Sequence, residues 1–376
     1  MTARIRRFLS DVRPATPCLV MDLDSVRNAF EGLAQSLPRA AIFYAMKANP
    51  APEILRLLAG LGSSFDTASI YEIRDALAAG ARPERISFGN TVKKQSDIKA
   101  AYDLGVRLFA FDAVGELEKL AEAAPGARVY CRLHLDFSST ADWPLSHKFG
   151  CSFPMAKELL TQAGEMGLDP YGVSFHVGSQ QRDAGAWDMA VSRAAMLFTD
   201  LAERGVNLRM VNVGGGFPAH YRTDAAPQNA HCEALMQAMQ KHFGNRQPDL
   251  LVEPGRSMVA DAGLIQSEVV LVSHKQQGGP RWVYLDIGKF GGLIETLDEA
   301  IKYRMTTSRD GGPVSRAIIA GPTCDEVDVL YEETLYELPD DLKPGDMVEF
   351  LSAGAYTATY CSVGFNGLPP LKTYCV

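Results

Sequence analysis

Short apolar runs return along the first two-thirds of the chain with a beat of about 22 residues, and this rhythm restricts the available folds more than any other feature. Ile42-Phe-Tyr-Ala-Met, Ser64-Phe-Asp, Ile86-Ser-Phe-Gly, Leu108-Phe-Ala-Phe and Val129-Tyr-Cys-Arg-Leu form the series. Segments with helical spacing lie between them, such as Pro52-Glu-Ile-Leu-Arg-Leu-Leu and Ile70-Tyr-Glu-Ile-Arg-Asp-Ala-Leu. Val173-Ser-Phe-His-Val, Arg209-Met-Val-Asn-Val and Leu250-Leu-Val-Glu follow at wider spacing, again separated by amphipathic stretches, notably Trp187 to Arg204. Eight strands, each linked by a helix, are the count of a parallel (β/α)8 barrel. A doubly wound open sheet shares the rhythm, because periodicity alone cannot close a barrel. The barrel is the favoured expectation.

Beyond residue 262 the pattern changes. Ile265-Gln-Ser-Glu-Val-Val-Leu-Val-Ser, Arg281-Trp-Val-Tyr-Leu-Asp, Ala317-Ile-Ile-Ala-Gly and Met347-Val-Glu-Phe-Leu read as strands with few helices between them, and Gly278-Gly279 and Pro344-Gly345 mark turns. The expected organisation is a barrel over 24–262 and an all-β domain over 1–23 plus 263–376. The early strand in Thr16-Pro-Cys-Leu-Val-Met could join either part. A length of 376 residues suits two or three domains, and 47% apolar residues fill substantial cores, which excludes a disordered chain. No run reaches the ~20 apolar residues of a membrane-spanning helix. The basic start has no apolar segment after it, so a secretory signal is not expected. A net charge of −8 argues against nucleic acid as the main ligand. The seven cysteines are scattered without a C-x-x-C pair, which points to reduced thiols in a cytoplasmic protein and to no zinc site.

In a barrel of this kind the functional groups sit at the C-terminal ends of the strands. Those ends read, in order, Lys47, Asp66, Asn90, Arg132, His176, Gly214-Gly215-Gly216, and Glu253 with Arg256. Singly, each has a bland explanation: a lysine snorkelling to the rim, a glycine turn, a surface ion pair, a satisfied buried histidine. Together they suit pyridoxal phosphate. Its aldehyde needs a lysine whose amine can attack a carbonyl, its phosphate needs closely approaching backbone N–H groups, and its pyridine nitrogen needs a partner. A carboxylate such as Glu253 keeps that nitrogen protonated and makes the ring an electron sink.

The segments Tyr44-Ala-Met-Lys-Ala-Asn, Phe65-Asp-Thr-Ala-Ser, His176-Val-Gly-Ser, Gly214-Gly-Gly-Phe-Pro and Glu253-Pro-Gly-Arg resemble the ornithine/lysine-type decarboxylases of the alanine-racemase fold. Gly321-Pro-Thr-Cys-Asp-Glu-Val-Asp, Gly354-Ala-Tyr-Thr and Phe365-Asn-Gly continue the resemblance, so it runs from residue 44 to 367. It implies that Lys47 binds pyridoxal 5'-phosphate, His176 stacks on the pyridine ring and Glu253 faces the ring nitrogen. Ser179, Gly215, Gly216, Arg256 and Tyr356, with Gly255 in the same turn, would hold the phosphate. Asp66 and Arg132 would form a polar pair near the cofactor's imine. It further implies a homodimer with shared active sites, in which Cys324 of one subunit reprotonates the carbanion and Asp325 binds the distal amine of the substrate. The expected activity is decarboxylation of L-ornithine to putrescine, and of L-lysine to cadaverine, in polyamine biosynthesis.

Asn212 stands where many relatives carry Asp, Ala219 where Gly is frequent, and Gln180 where Gly is common; none of the three is expected to touch an assigned catalytic group. The segment Asp286 to Glu299 resembles the bacterial lysine/ornithine group, and it offers Glu295, Asp298 and Glu299 as a second carboxylate for the substrate ammonium, with Asp298 preferred. The alternatives are a diaminopimelate or arginine decarboxylase and a non-catalytic cofactor-binding homologue. Cys324-Asp325-Glu326 disfavours diaminopimelate, since Asp325 and Asp298 would repel its distal carboxylate, while arginine stays open because length selectivity is invisible in sequence. Retention of Lys47, Cys324, Arg256 and Glu253 disfavours the last. A racemase would need a second base across the ring.

Overall fold

A computed structural model describes residues 1–135, 140–143 and 147–376. The chain divides into two compact units, one of Arg27–Pro218 with Ala225–Ser257, the other of Met1–Val26, Ala219–Asp224 and Met258–Val376.

The first unit is a closed barrel of eight parallel strands in chain order: Ala40–Ala45, Ser64–Thr67, Ile86–Phe88, Leu108–Phe111, Arg128–Arg132, Asp169–Ser174, Met210–Asn212 and Asp249–Val252. The last strand pairs with the first, Val252 opposite Ile42, so the sheet closes and the open-sheet alternative falls. Apolar runs such as Leu108-Phe-Ala-Phe are buried at every position because helices cover one face and barrel packing the other. Phe43, Leu108, Ala110, Tyr130, Met210 and Leu251 fill part of the interior, at roughly 1.5–3 kcal/mol per large side chain removed from water. Local signals start the helices: Pro52 opens Pro52–Gly60, and the Ser69 side chain accepts from Glu72 N at the head of Ile70–Ala78.

In the second unit an eight-stranded sheet runs Met305–Thr307, Met347–Leu351, Gly263–His274, Arg281–Leu285, Val314–Ala320 and Val329–Pro339. Cys18–Met21 joins it antiparallel to Gly263–His274 and carries Lys372–Cys375 as a parallel neighbour. The early strand therefore belongs with the β unit. Val329–Pro339 escapes a sequence reading because its pairing with Val314–Ala320 shifts register at Ala317/Ile319 and again at Ile319/Ala320, which breaks the alternation. The basic start forms the helix Ala3–Val12, capped by Thr2, whose Ile5 and Leu9 lie one turn apart and pack on Cys18, Val20 and Leu264. Among the described residues no helix is long and apolar enough to cross a membrane. All seven cysteines carry free thiols, although Cys131 and Cys151 Sγ approach to 3.4 Å.

Candidate active site

At the end of the first barrel strand the chain tightens into the 3-10 turn Met46–Ala48, which buries Met46 and Ala48 and leaves Lys47 exposed. Ala45 is in register with Asp66, so the lysine turn and the next strand end lie side by side. Ala45 N donates to Pro254 O at 3.0 Å. The Glu253-Pro254-Gly255 turn can approach this closely because residue 255 lacks a side chain; a Cβ there would stand 2.9 Å from Ala48 Cβ.

Asp66 is buried, and its Oδ1 has no hydrogen-bond partner among the described residues. Burial, then the Glu253 carboxylate, raise its pKa well above the ordinary value, against the opposing charges of Lys47 and Arg132. Gly89 makes room for it, since a Cβ at that position would collide with Oδ1. The expected Asp66–Arg132 pair is not a direct contact: no hydrogen bond joins them, and the Arg132 guanidinium lies 5.0 Å from the centre of the Phe149 ring. Glu72, which the sequence reading passed over, feels the Lys47 charge. Burial raises its pKa, while the Ala68 N–H that it accepts at 2.6 Å and Lys47 lower it. Its signal was present in the Ser69-x-x-Glu72 capping spacing. Asn90 is occupied locally, accepting from Val92 N and donating to Ala68 O.

His176 follows the sixth barrel strand. Its Nδ1 accepts from Gly178 N at 3.0 Å, which leaves the neutral ring's proton on Nε2. Burial, then the Arg132 and Lys47 charges, pull its pKa down to about 3, so the ring is uncharged at neutral pH. The glycine run packs backbone against backbone: Glu253 N donates to Gly214 O at 2.7 Å, and a Cβ on Gly215 would stand 2.5 Å from Glu253 O. Gly216 has φ +103, and a Cβ on it would stand 2.6 Å from Gly178 O. Next to Gly178, Ser179 Oγ accepts from Nη2 of the buried Arg256 at 3.0 Å. Ser179, Arg256 and the glycines thus lie together, an arrangement, or cradle, of guanidinium and closely approaching backbone that suits an anion.

Asn212 overturns its expectation. Its Nδ2 donates to Glu253 Oε1, and its Oδ1 accepts from Gly214 N at 2.9 Å, so one amide ties the proposed ring partner to the cradle. Gln180 is fully buried. An exposed lysine, a cradle that a Cβ would fill, a carboxylate held by an amide and a buried carboxyl oxygen lacking a donor match the aldehyde, phosphate and ring of pyridoxal phosphate.

The second unit carries the other assigned residues. Cys324, Asp325 and Glu326 are exposed on one turn, and Asp325 Oδ1 accepts from Val327 N at 2.9 Å. Tyr356 is buried at φ +64, its ring 5.5 Å from that of Tyr360. Of the three acidic candidates, Glu299 is committed to structure, its carboxylate accepting from Glu332, Glu333 and Thr334 N at 2.7–2.8 Å. Glu295 is buried, whereas Asp298 is exposed at φ +50.

A closed parallel barrel with a mouth lysine and an anion cradle, on a chain with a separate β unit, defines a pyridoxal-phosphate enzyme of the alanine-racemase fold. Comparison with known proteins narrows the class. The family profile "Pyridoxal-dependent decarboxylase, pyridoxal binding domain" matches residues 23–260. The chain is 38% identical over 357 residues to a lysine/ornithine decarboxylase of Selenomonas ruminantium, covering 94% of this chain and 88% of that protein. The solved structure of SrLDC in complex with PLP and cadaverine superposes with a TM-score of 0.89 at 34% identity, over 100% of this chain and 94% of that one. The arginine decarboxylase of Paramecium bursaria Chlorella virus bound to agmatine gives 0.90 at 26% identity, over 100% of both chains. The chain belongs to the pyridoxal-dependent decarboxylases, and it is an amino-acid decarboxylase whose cofactor is pyridoxal 5'-phosphate.

Proposed function

We propose that this enzyme decarboxylates the basic amino acid L-ornithine to putrescine, accepts L-lysine to give cadaverine, and serves polyamine synthesis as a cytoplasmic homodimer. The carrying observation is the exposure of Asp298 and Asp325 on the unit that bears Cys324. Two carboxylates attract a distal ammonium and repel the distal carboxylate of diaminopimelate. The relative named for lysine and ornithine supports the same choice.

Lys47 is assigned to the cofactor's aldehyde, Ser179, Gly215, Gly216, Gly255, Arg256 and Tyr356 to its phosphate, His176 to its ring face and Glu253 to its ring nitrogen. When bound, the cofactor would supply the electron sink for the pair that stays on the α-carbon as carbon dioxide leaves. The protein supplies placement and protons. Asn212 holds Glu253 in position, so this carboxylate needs no reorganisation during the reaction. The neutral His176 ring adds no charge to the face it covers. Asp66 retains a proton more tightly than an ordinary carboxyl group, with Lys47 within electrostatic reach. Cys324 returns a proton to the α-carbon, so the net reaction consumes one proton and yields the amine and carbon dioxide. In the homodimer, Cys324 and Asp325 of one copy serve the Lys47 site of the other.

Product formation from equal concentrations of ornithine, lysine, arginine and diaminopimelate tests the reading. Putrescine should dominate, with cadaverine second. Dominant agmatine or lysine would overturn the substrate assignment, and no amine from any of the four would overturn the catalytic one.

A further inference from the structure

The Phe365-Asn366-Gly367 segment has no role so far. Asn366 adopts a left-handed backbone, φ 51 and ψ 20, which asparagine tolerates better than most residues. From there its side chain makes two hydrogen bonds to a single residue 42 positions away. Oδ1 accepts from Cys324 N at 3.0 Å, and Nδ2 donates to Cys324 Sγ at 3.3 Å. The orientation of the amide is determined by chemistry: a backbone N–H can only donate, so the oxygen faces it and the NH2 group must face the sulfur.

Both partners are anchored. The Phe365 ring lies against that of Phe290 with centroids 4.5 Å apart, and Ser362 N donates to Phe290 O at 2.9 Å. On the cysteine side, the buried Asp328 accepts from Thr323 N at 3.1 Å, Thr323 Oγ1 at 2.7 Å and Lys289 N at 2.7 Å. Gly288 and Gly321 leave room for that carboxylate. The cysteine turn is therefore held at residues 323 and 328 by Asp328 and at 324 by Asn366, while Cys324 itself stays exposed.

We infer that Asn366 is a positioning residue for the reaction: it aims Cys324 Sγ and stabilises the thiolate left once the thiol has given up its proton. The inference rests on Cys324 as the proton donor. In that step the S–H bond breaks and a C–H bond forms at the α-carbon. The S–H electron pair stays on sulfur, and solvent later returns a proton to it. The Asn366 N–H faces the sulfur when that charge appears, and a hydrogen bond to a charged acceptor is stronger than one to a neutral acceptor. Proton delivery to the α-carbon gives the amine. Delivery to the cofactor carbon instead gives an aldehyde and pyridoxamine phosphate, so the product ratio reports the aim of the thiol.

The test compares the holoenzyme with Asn366→Asp, Asn366→Gly and Cys324→Ala, using the amino acid that the wild type prefers. Asn366→Asp keeps the size and the acceptor for Cys324 N but places a carboxylate oxygen against the sulfur. Asn366→Gly keeps the left-handed backbone at no steric cost and removes both bonds. Aldehyde plus pyridoxamine phosphate, as a share of total product, should rise roughly tenfold in both Asn366 variants, toward the Cys324→Ala level, with KM nearly unchanged. Wild-type partition in both Asn366 variants, beside diversion in Cys324→Ala, overturns the role of Asn366, including where KM alone rises. Wild-type partition in Cys324→Ala overturns the cysteine assignment and the inference with it.

Discussion

Gly215 offers the sharpest steric test of the anion cradle. A Cβ there would stand 2.5 Å from Glu253 O, while ordinary van der Waals contact begins near 3.4 Å, so the two segments must part by about 0.9 Å. The same segments are joined by the hydrogen bond from Glu253 N to Gly214 O at 2.7 Å, which that separation would stretch to about 3.6 Å and break. Loss of one backbone bond costs about 1 kcal/mol, and overpacking adds about 1–3 kcal/mol. If the cradle binds the cofactor's phosphate, this loss of about 2–4 kcal/mol should weaken pyridoxal phosphate by roughly 30- to 1000-fold in Gly215→Ala. Titration of the apoprotein with the cofactor, followed by visible absorbance, measures it. Gly32→Ala is the control: nothing lies within 4 Å of its added Cβ, it sits in the helix Leu23–Ser36, and it should bind normally. A Gly215→Ala protein that binds within threefold of wild type would refute the steric argument.

Three further outcomes follow from the assigned roles. Lys47→Ala should lose the visible absorbance that borohydride bleaches, and an unchanged band would place cofactor attachment elsewhere. Because the folded pKa of His176 lies near 3, below the ordinary 6.5, the unfolded chain takes up a proton over the window from about 6.5 to 3 while the folded one does not. The apoprotein should therefore lose stability as pH falls through that window. His176→Gln should lose less between pH 7 and 4.5 in urea unfolding, and an identical decline in both proteins would contradict a buried neutral histidine. Mixing the Lys47→Ala protein with the slowed, diverted Cys324→Ala protein should restore part of the wild-type amine formation; subunit exchange without recovery would count against shared sites.

The amino-acid sequence by itself carried the eight-strand rhythm, the change to an all-β second part, and the polar residues at the strand ends. These are local properties, since strand and helix periods repeat over a few residues and a strand end is visible where an apolar run stops. Barrel closure was not local, because Val252 meets Ile42 across most of the unit. Nor was the fate of single side chains. Glu299 stood beside Asp298 as a candidate for the substrate ammonium, yet three backbone N–H groups more than 30 residues away consume its carboxylate. Asn212 looked like a neutral departure from its relatives, yet the register of the barrel brings its amide to Glu253, 41 positions further on. Asn366 reaches Cys324 over a similar distance. A hydrogen bond between side chains so far apart in the chain leaves no period to read. The sequence therefore determined which chemical groups were on hand, and tertiary packing decided which of them meet, because only the folded backbone sets distances between remote strand ends and turns.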